Sequence, residues 1–536
     1  MDVVLELNHI ALLQDRAKNS GDTILFKLPR LRGSEASREW TDITVAEFAA
    51  HVERVASHLI TELKAQEIPA GSVIGVLSDG YQYLHLVYTI ALSRASYVPQ
   101  MLTHMLTDPG IIFELMEKAG AKAVVYDPCL EFLTASSAFP KICLTDIDNM
   151  NGDSVLPPVE QLPSGSDVCF NYLTSGSTSG SPKIVPLTQE FVCTYYKAQF
   201  DIWLQGRRFD TQDVFLARGS ICSVAPMIQY LGCLYTRSCI VKPSKPRVST
   251  EELLNMVNTC GLNHMGLYGT YLSPHIQAAK GDPAILKLLQ GMRSISYGGV
   301  PVSIAEDDWC FQNGIPLIDM YATTECGLLM SSVPGKPGRF IRPIPTVSCR
   351  FDPFTDMTQA DDSPAQLFQF ILLGDSPQIP KPHLLSADGN FHSGDLFEKQ
   401  PDGSYLYRGR DDDWIKSDAA DRCDAKAIEE KVYETCSDLV ENCIVVGTLR
   451  PSPALFIEAR NSWTGSCESL KESILHRMKE FNIRRYQAER ITDKRLVLVV
   501  DSGVLPRTMK GNLRRKAIEQ KYSSVLDDIY KLVYNR

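Results

Sequence analysis

Short strand-like apolar runs alternate with helical stretches along this chain, and that alternation restricts it to mixed α/β layers. Val73–Leu77 is one such run, and Ala123-Val124-Val125-Tyr126, set off by Lys118-Ala119-Gly120-Ala121, is another. Phe48, Val52, Val55, Leu59 and Leu63 recur at helical spacing, which predicts that the first ordered helix covers Val45 to Leu63. At 536 residues the chain exceeds one typical core and should divide into at least two domains. Residues 151–167, rich in Pro, Ser, Gly and acid, read as a loop. A second turn-rich passage, Pro334 to Pro345, precedes a smaller β-rich section that ends near residue 408.

Charge and apolar content exclude several classes of function. A net charge of −10 argues against general binding to nucleic acid or to an anionic membrane. The one basic cluster of note, Arg514-Arg515-Lys516, reads as a solvated helix face. No apolar run approaches the 18 residues that a membrane span needs, and Met1-Asp2-Val3-Val4-Leu5-Glu6 lacks the basic start of a signal peptide. The end Val533-Tyr534-Asn535-Arg536 is not the Ser-Lys-Leu peroxisomal address, so a cytoplasmic location is expected. The fifteen cysteines are odd in number and scattered, with no Cys-x-x-Cys pair, and read as reduced, mostly buried thiols rather than a zinc site or disulfide framework.

The chemistry is concentrated in four sparse motifs. Leu173-Thr174-Ser175-Gly176-Ser177-Thr178-Ser179-Gly180-Ser181-Pro182-Lys183 sets glycines and hydroxyls ahead of one lysine. Glycines let backbone N–H groups approach an anion, hydroxyls donate further bonds and the lysine brings charge, so the loop suits phosphates, with a plain flexible Ser/Gly loop as the alternative. The spacing of Gly176 and Gly180 excludes a Walker loop. Asp319-Met320-Tyr321-Ala322-Thr323-Thr324-Glu325 follows the apolar run Ile315 to Ile318 and is expected at a strand end. Its aromatic, hydroxyls and carboxylate suit an adenine ring, a phosphate and Mg²⁺. His392-Ser393-Gly394-Asp395 and Gly409-Arg410-Asp411-Asp412-Asp413-Trp414-Ile415-Lys416 complete the set. The three aspartates are hard to bury, which suggests a hinge or an acidic surface turn.

In this order the motifs resemble the adenylate-forming superfamily of acyl- and aryl-CoA ligases, luciferases and peptide-synthetase adenylation domains. The likeness extends upstream to Gly71-Ser72-Val73-Ile74-Gly75-Val76-Leu77 and Ala91-Leu92-Ser93-Arg94-Ala95-Ser96-Tyr97-Val98-Pro99, and downstream to Pro506-Arg507-Thr508-Met509-Lys510-Gly511-Asn512. The resemblance implies an α/β fold: a large N-terminal adenylate-forming domain of packed β-sheets and helices, residues 1–408, and a small mobile α+β C-terminal domain, residues 414–536. The hinge would be residues 409–413, with Asp412 as pivot. It implies ATP and Mg²⁺ as cofactors and a small carboxylic acid as substrate. Thr174, Ser175, Gly176, Ser177, Thr178 and Lys183 would surround the β- and γ-phosphates, Thr324 would hold the α-phosphate and Glu325 the metal. Tyr321 would pack on adenine, Asp395 would accept both ribose hydroxyls, Arg410 would add a ribose or phosphate contact, and Gly298-Gly299-Val300-Pro301 would border adenine and the acyl pocket.

In Pro226-Met227-Ile228-Gln229-Tyr230-Leu231-Gly232 the family's aromatic-plus-His pattern becomes Ile228-Gln229, and the aspartate that amino-acid activators carry near this point is missing. With no carboxylate to pair an α-ammonium group, an ordinary α-amino acid is not expected. Met227, Tyr230, Tyr268 and Gly298 would line a largely apolar slot for an aryl or medium acyl acid, or Met227 and Tyr230 would be core residues. Three further departures stand out. The phosphate loop is one residue longer than the family's, Ala419 replaces a glycine that borders the pantetheine tunnel, and Asn512 stands where the catalytic lysine follows Gly511. Lys510, two residues earlier, is expected to supply that lysine. Three readings stay open: transfer of the acyl group to CoA, transfer to the phosphopantetheine arm of a separate carrier protein or to an amine, and a nucleotide-binding sensor without catalysis.

Overall fold

The computed structural model describes residues 8–30, 39–106, 108–150, 154–174, 183–204, 211–299, 301–354, 366–410, 414–416, 422–483, 490–507 and 511–534. The helix expected from residue 45 runs Val45–Ala65. Thr44 starts it with a reciprocal cap, its Oγ1 accepting from the Glu47 N–H at 3.2 Å while the Glu47 carboxylate accepts from the Thr44 N–H at 2.7 Å. Phe48, Val52, Val55, Leu59 and Leu63 are all fully buried. Each is worth about 1.5–3 kcal/mol of removed apolar surface, so this face binds the helix to the core. An earlier helix, His9–Ser20, is capped by the Asn8 side chain and escapes the periodicity reading because its apolar residues, Ile10 to Leu13, crowd into the first turn.

Among the described residues the strands fall into two large sheets and a smaller C-terminal set. In the six-stranded sheet Val73–Ser78 lies between Val98–Thr103 and Ala121–Tyr126, all parallel. Its edge is the antiparallel pair Val168–Thr174 and Lys183–Thr188. In the thirteen-stranded sheet a parallel portion contains Val214–Leu216, His264–Leu267, Ser294–Tyr297 and Leu317–Thr323. From Leu317–Thr323 onward it is antiparallel, through Gly327–Ser332 and Ile341–Pro343 to Tyr405–Arg410 and Phe391–Lys399. Loops leaving the carboxyl ends of Val73–Ser78 and Val214–Leu216 bond to each other, the Ser220 hydroxyl donating to the Asp79 carbonyl at 2.6 Å and the Ile221 N–H to the Gly80 carbonyl at 3.0 Å. The outer ends of parallel strands are where α/β folds build ligand sites.

A separate core begins at Ile415 and takes in Phe456, Ile474, Val497, Ile518 and Leu526. It covers the sheet Val440–Val446, Ala454–Ala459 and Val497–Val500. Arg515 corrects one sequence expectation. It is not on a solvated face: its guanidinium is largely buried, paired with Glu429 at 2.6 Å and bonded to the Val445 carbonyl. No helix among the described residues is long and apolar enough to cross a membrane.

Candidate active site

The strand carrying Tyr321 runs Leu317–Thr323, so Tyr321 stands on the strand and only Thr324, Glu325 and Cys326 form the turn into Gly327–Ser332. The turn is fixed from inside, since the Thr323 hydroxyl accepts from the Cys326 N–H at 3.0 Å. Thr324 and Glu325 are left half-buried at its tip. Three and four strands along the same sheet, Arg410 and Asp395 face each other as cross-strand partners of Tyr405–Arg410 and Phe391–Lys399.

These elements bring Tyr321, Asp395 and Arg410 together. The Tyr321 hydroxyl donates to Asp395 Oδ2 at 2.5 Å, Tyr407 donates to Oδ1 at 3.4 Å, and Arg410 Nη1 lies 3.7 Å from Oδ1. Asp395 is 5% exposed, and its backbone N–H is held by the Ser393 hydroxyl. The Tyr321 ring sits edge-on to Phe370 and Phe397, with centroids 5.8 and 5.1 Å away. Burial first, and the Asp395 charge second, push its hydroxyl well above the usual tyrosine range, so it stays a donor. One residue before it, the Met320 carbonyl would lie 2.7 Å from a Cβ at Gly298, so only glycine lets this strand end approach. Tyr268, 40% exposed, reaches the neighbouring Gly299. Thr174 and Lys183 are cross-strand partners at the ends of the strands that flank the Ser/Gly-rich segment. Ser175, Gly176, Ser177 and Thr178, with Asp412 and Lys510, lie outside the described residues.

Met227 and Tyr230 follow the second of the two expectations and are core residues. They are 1% and 2% exposed on the helix Val224–Thr236, with the Tyr230 ring 6.2 Å from Phe26 and 5.3 Å from Phe48, because that helix turns its apolar side into the core. Gln229 is also internal: its amide bonds the Leu216 carbonyl at 2.8 Å and accepts from the Arg218 N–H at 3.0 Å. It thereby clamps the segment that leaves Val214–Leu216, and Arg218 on that segment went unnoticed in the sequence. The signal was there, in an apolar run, Val214 to Ala217, followed at once by Arg218-Gly219-Ser220. Tyr407 was missed as well, and Asp319, the first residue of the second motif, had been given no role. Asp319 is pushed up to about 7, chiefly by burial and then by the Asp307 charge.

The donor set fits a magnesium nucleotide. An enclosed carboxylate suits a diol, a backbone cleared of Cβ atoms suits a flat ring, and the oxygens of Thr324 and Glu325 are the hard ligands that magnesium prefers. With an α/β body, strand-end motifs and a second, separately cored C-terminal part, the class is that of adenylate-forming ligases. The chain belongs to the AMP-binding enzyme family, whose profile matches residues 13–364, with the AMP-binding enzyme C-terminal domain matching residues 412–533. It is 66% identical, over 95% of its length and 100% of the relative's, to the AMP-binding domain-containing enzyme iboA of Amanita muscaria. It is 24% identical over 76% of its length to the adenylate-forming reductase Nps11 of Serpula lacrymans, of which it spans 37%. The fold is shared with o-succinylbenzoate CoA synthetase of Bacillus subtilis bound to its acyl-adenylate, at TM-score 0.75, 17% identity and 95% and 97% coverage of the two chains. ATP-bound MatB of Rhodopseudomonas palustris gives 0.74, 18%, 97% and 99%.

Proposed function

We propose that this enzyme joins a small carboxylic acid to AMP and then passes the acyl group to the thiol of CoA, working in the reducing cytoplasm. A carboxylate oxygen attacks the α-phosphorus of ATP, the bond to the bridging oxygen breaks, and pyrophosphate leaves with the electron pair. A thiolate then attacks the acyl carbon and expels AMP. The observation that carries the reading is the buried Asp395 carboxylate, held by Tyr321 beside the Thr324–Glu325 turn.

In this reading Asp395 accepts the ribose hydroxyls, Tyr321 offers its ring to adenine, and Arg410 contacts ribose or phosphate. Thr324 bonds the α-phosphate, and Thr174 and Lys183, with Ser175, Gly176, Ser177 and Thr178, bond the outer phosphates. Glu325 would hold Mg²⁺, which neutralises charge on the phosphates. Lys510 bridges the acid and the α-phosphate, where its charge stabilises the transition state. Gly298 and Tyr268 border the acid. The alternative acceptors are the phosphopantetheine arm of a separate carrier protein and an amine; Ala419, standing where a glycine borders the pantetheine tunnel, counts against thioester formation with either CoA or a carrier arm and so supports the amine.

Acid-dependent exchange of pyrophosphate into ATP, followed by an acceptor screen with the best acid, tests both steps. Asp395→Ala should weaken ATP use at least about tenfold in a folded protein, since each lost hydrogen bond to a charge is worth about 1.5–3 kcal/mol. An unchanged Michaelis constant for ATP removes Asp395 from the site. Lys510→Ala should slow exchange by about two orders of magnitude. ATP binding with no exchange for any acid would favour the sensor reading.

A further inference from the structure

Lys426 brings a charge of the C-terminal part to the candidate nucleotide site. It is the second residue of the helix Ala425–Cys436, whose Ala425, Ile428 and Val432 are buried in the C-terminal core. That packing leaves Lys426 half-buried on a flank turned to the other part of the molecule, with its Nζ 4.7 Å from the centre of the Tyr407 ring. The Tyr407 ring lies 6.3 Å from that of Tyr321, and both hydroxyls donate to Asp395. The Lys426 charge also acts on Asp319, which pairs in register with Tyr297, the residue before Gly298. One ammonium thus reaches both the tyrosine that bonds the proposed ribose carboxylate and the strand end proposed for adenine. A cation in the first turn of a helix opposes the positive end of the helix dipole, so the helix itself gives no reason for a lysine here.

We propose that Lys426 completes the nucleotide site from the C-terminal part, donating a charge-assisted hydrogen bond to the sugar–base half of the bound nucleotide. The inference rests on the adenylation reading above and adds to it a contact from outside the N-terminal part. Ribose oxygens and the ring nitrogens of adenine are acceptors, and an ammonium carries three donors that can turn to meet them. The Tyr407 face attracts that ammonium electrostatically yet leaves N–H donors for a ligand, whereas a carboxylate in its place would consume them. Because the lysine belongs to the C-terminal part, the contact depends on the orientation of this structure. Linkage makes the effect reciprocal: a bound nucleotide favours that orientation by the same factor with which the orientation tightens the nucleotide.

Calorimetry on the full chain, with AMP and adenosine as probes, tests this. Lys426→Met should weaken both ligands by about tenfold or more and by similar factors, the loss expected for one hydrogen bond to a charged group. Lys426→Arg should retain most of the affinity, and Lys426→Glu should weaken it further; these two are read if Lys426→Met does not fold. The melting temperature without ligand separates binding from structure. It should stay near the parent's, because loss of the ring contact and relief at the helix start offset each other. AMP should also slow amide exchange in Ala425–Cys436 of the parent and not of Lys426→Met. Unchanged AMP affinity in Lys426→Met, or a loss for AMP without one for adenosine, overturns the proposal while leaving adenylation intact. A lower melting temperature with unchanged affinity would make Lys426 a structural contact and overturn it equally. A parent protein that binds neither AMP nor ATP overturns adenylation and this inference together.

Discussion

At the scale of single residues, the candidate site holds carboxyls in unlike surroundings. Asp395 is held by two tyrosine hydroxyls and an arginine. Asp319, two residues before Tyr321, is raised instead, to about 7, by burial and by Asp307, against the opposing pull of Tyr297 and of Lys426 from the C-terminal part. An acid that titrates near 4 in the unfolded chain and near 7 in the folded one binds more protons when folded between those values, so its contribution favours folding at low pH and is lost as pH rises towards 7. The slope is at most about 1.4 kcal/mol per pH unit. Asp319→Asn cannot ionise, so its thermal midpoint relative to the parent should rise between pH 5 and pH 8. A difference independent of pH would show that Asp319 does not titrate in that window.

At the scale of elements, the hairpin that carries Tyr321, Thr324 and Glu325 depends on Gly327. Its φ of +73° is costly for an L side chain, and a Cβ would meet the buried Tyr195 ring at 2.8 Å. Gly335 serves as a control, with φ of +78° and nothing within 4 Å of a Cβ. Gly335→Ala should therefore cost only the backbone strain, about 1–2 kcal/mol. Gly327→Ala should cost that plus an overpacking penalty of about 1–3 kcal/mol, and it should depress pyrophosphate exchange because the turn must shift. Equal denaturation midpoints for the two variants would mean that Tyr195 yields without cost. A comparable anchor supports the terminal loop, where Arg507 bonds both the buried Glu458 carboxylate and the Gly511 carbonyl, and Arg507 and Leu513 pair across the loop.

At the scale of the whole molecule, the change of core after the strand Tyr405–Arg410 supports a two-part reading. Contact across that junction includes Lys426 Nζ, 4.7 Å from the centre of the Tyr407 ring. If residues 409–413 are the hinge, as the sequence suggests, Asp412→Pro should leave adenylation largely intact and sharply reduce transfer to the acceptor, since proline fixes φ and blocks rotation. Single-turnover measurement of each half-reaction checks this. Equal loss of both steps would make Asp412 an ordinary surface turn.

Local patterns were enough for the layers, for the helix from Val45 and for the family, because apolar periodicity, caps and short motifs depend on residues near in sequence. Separate nucleoside roles for Tyr321 and Asp395 were implied by family resemblance, while the hydrogen bond between them, and Tyr407 at 3.4 Å from the same carboxylate, entered only when the antiparallel strands brought them together. For Met227 and Tyr230 the sequence left open a pocket wall or a place in the core. Met227 and Tyr230 have the composition of a pocket wall, yet their helix turns them into the core against Phe26 and Phe48. Arg218 shows the reverse case, since a charged residue after a short strand reads as surface until Gly266, Ser296 and Tyr195, distant in sequence, are folded around it. The sequence by itself determined the α/β class and the adenylate-forming family to which its motifs point. Only the tertiary structure decided which of these side chains are buried in the core and which gather at the strand ends, because burial and long-range contact are properties of the packed chain.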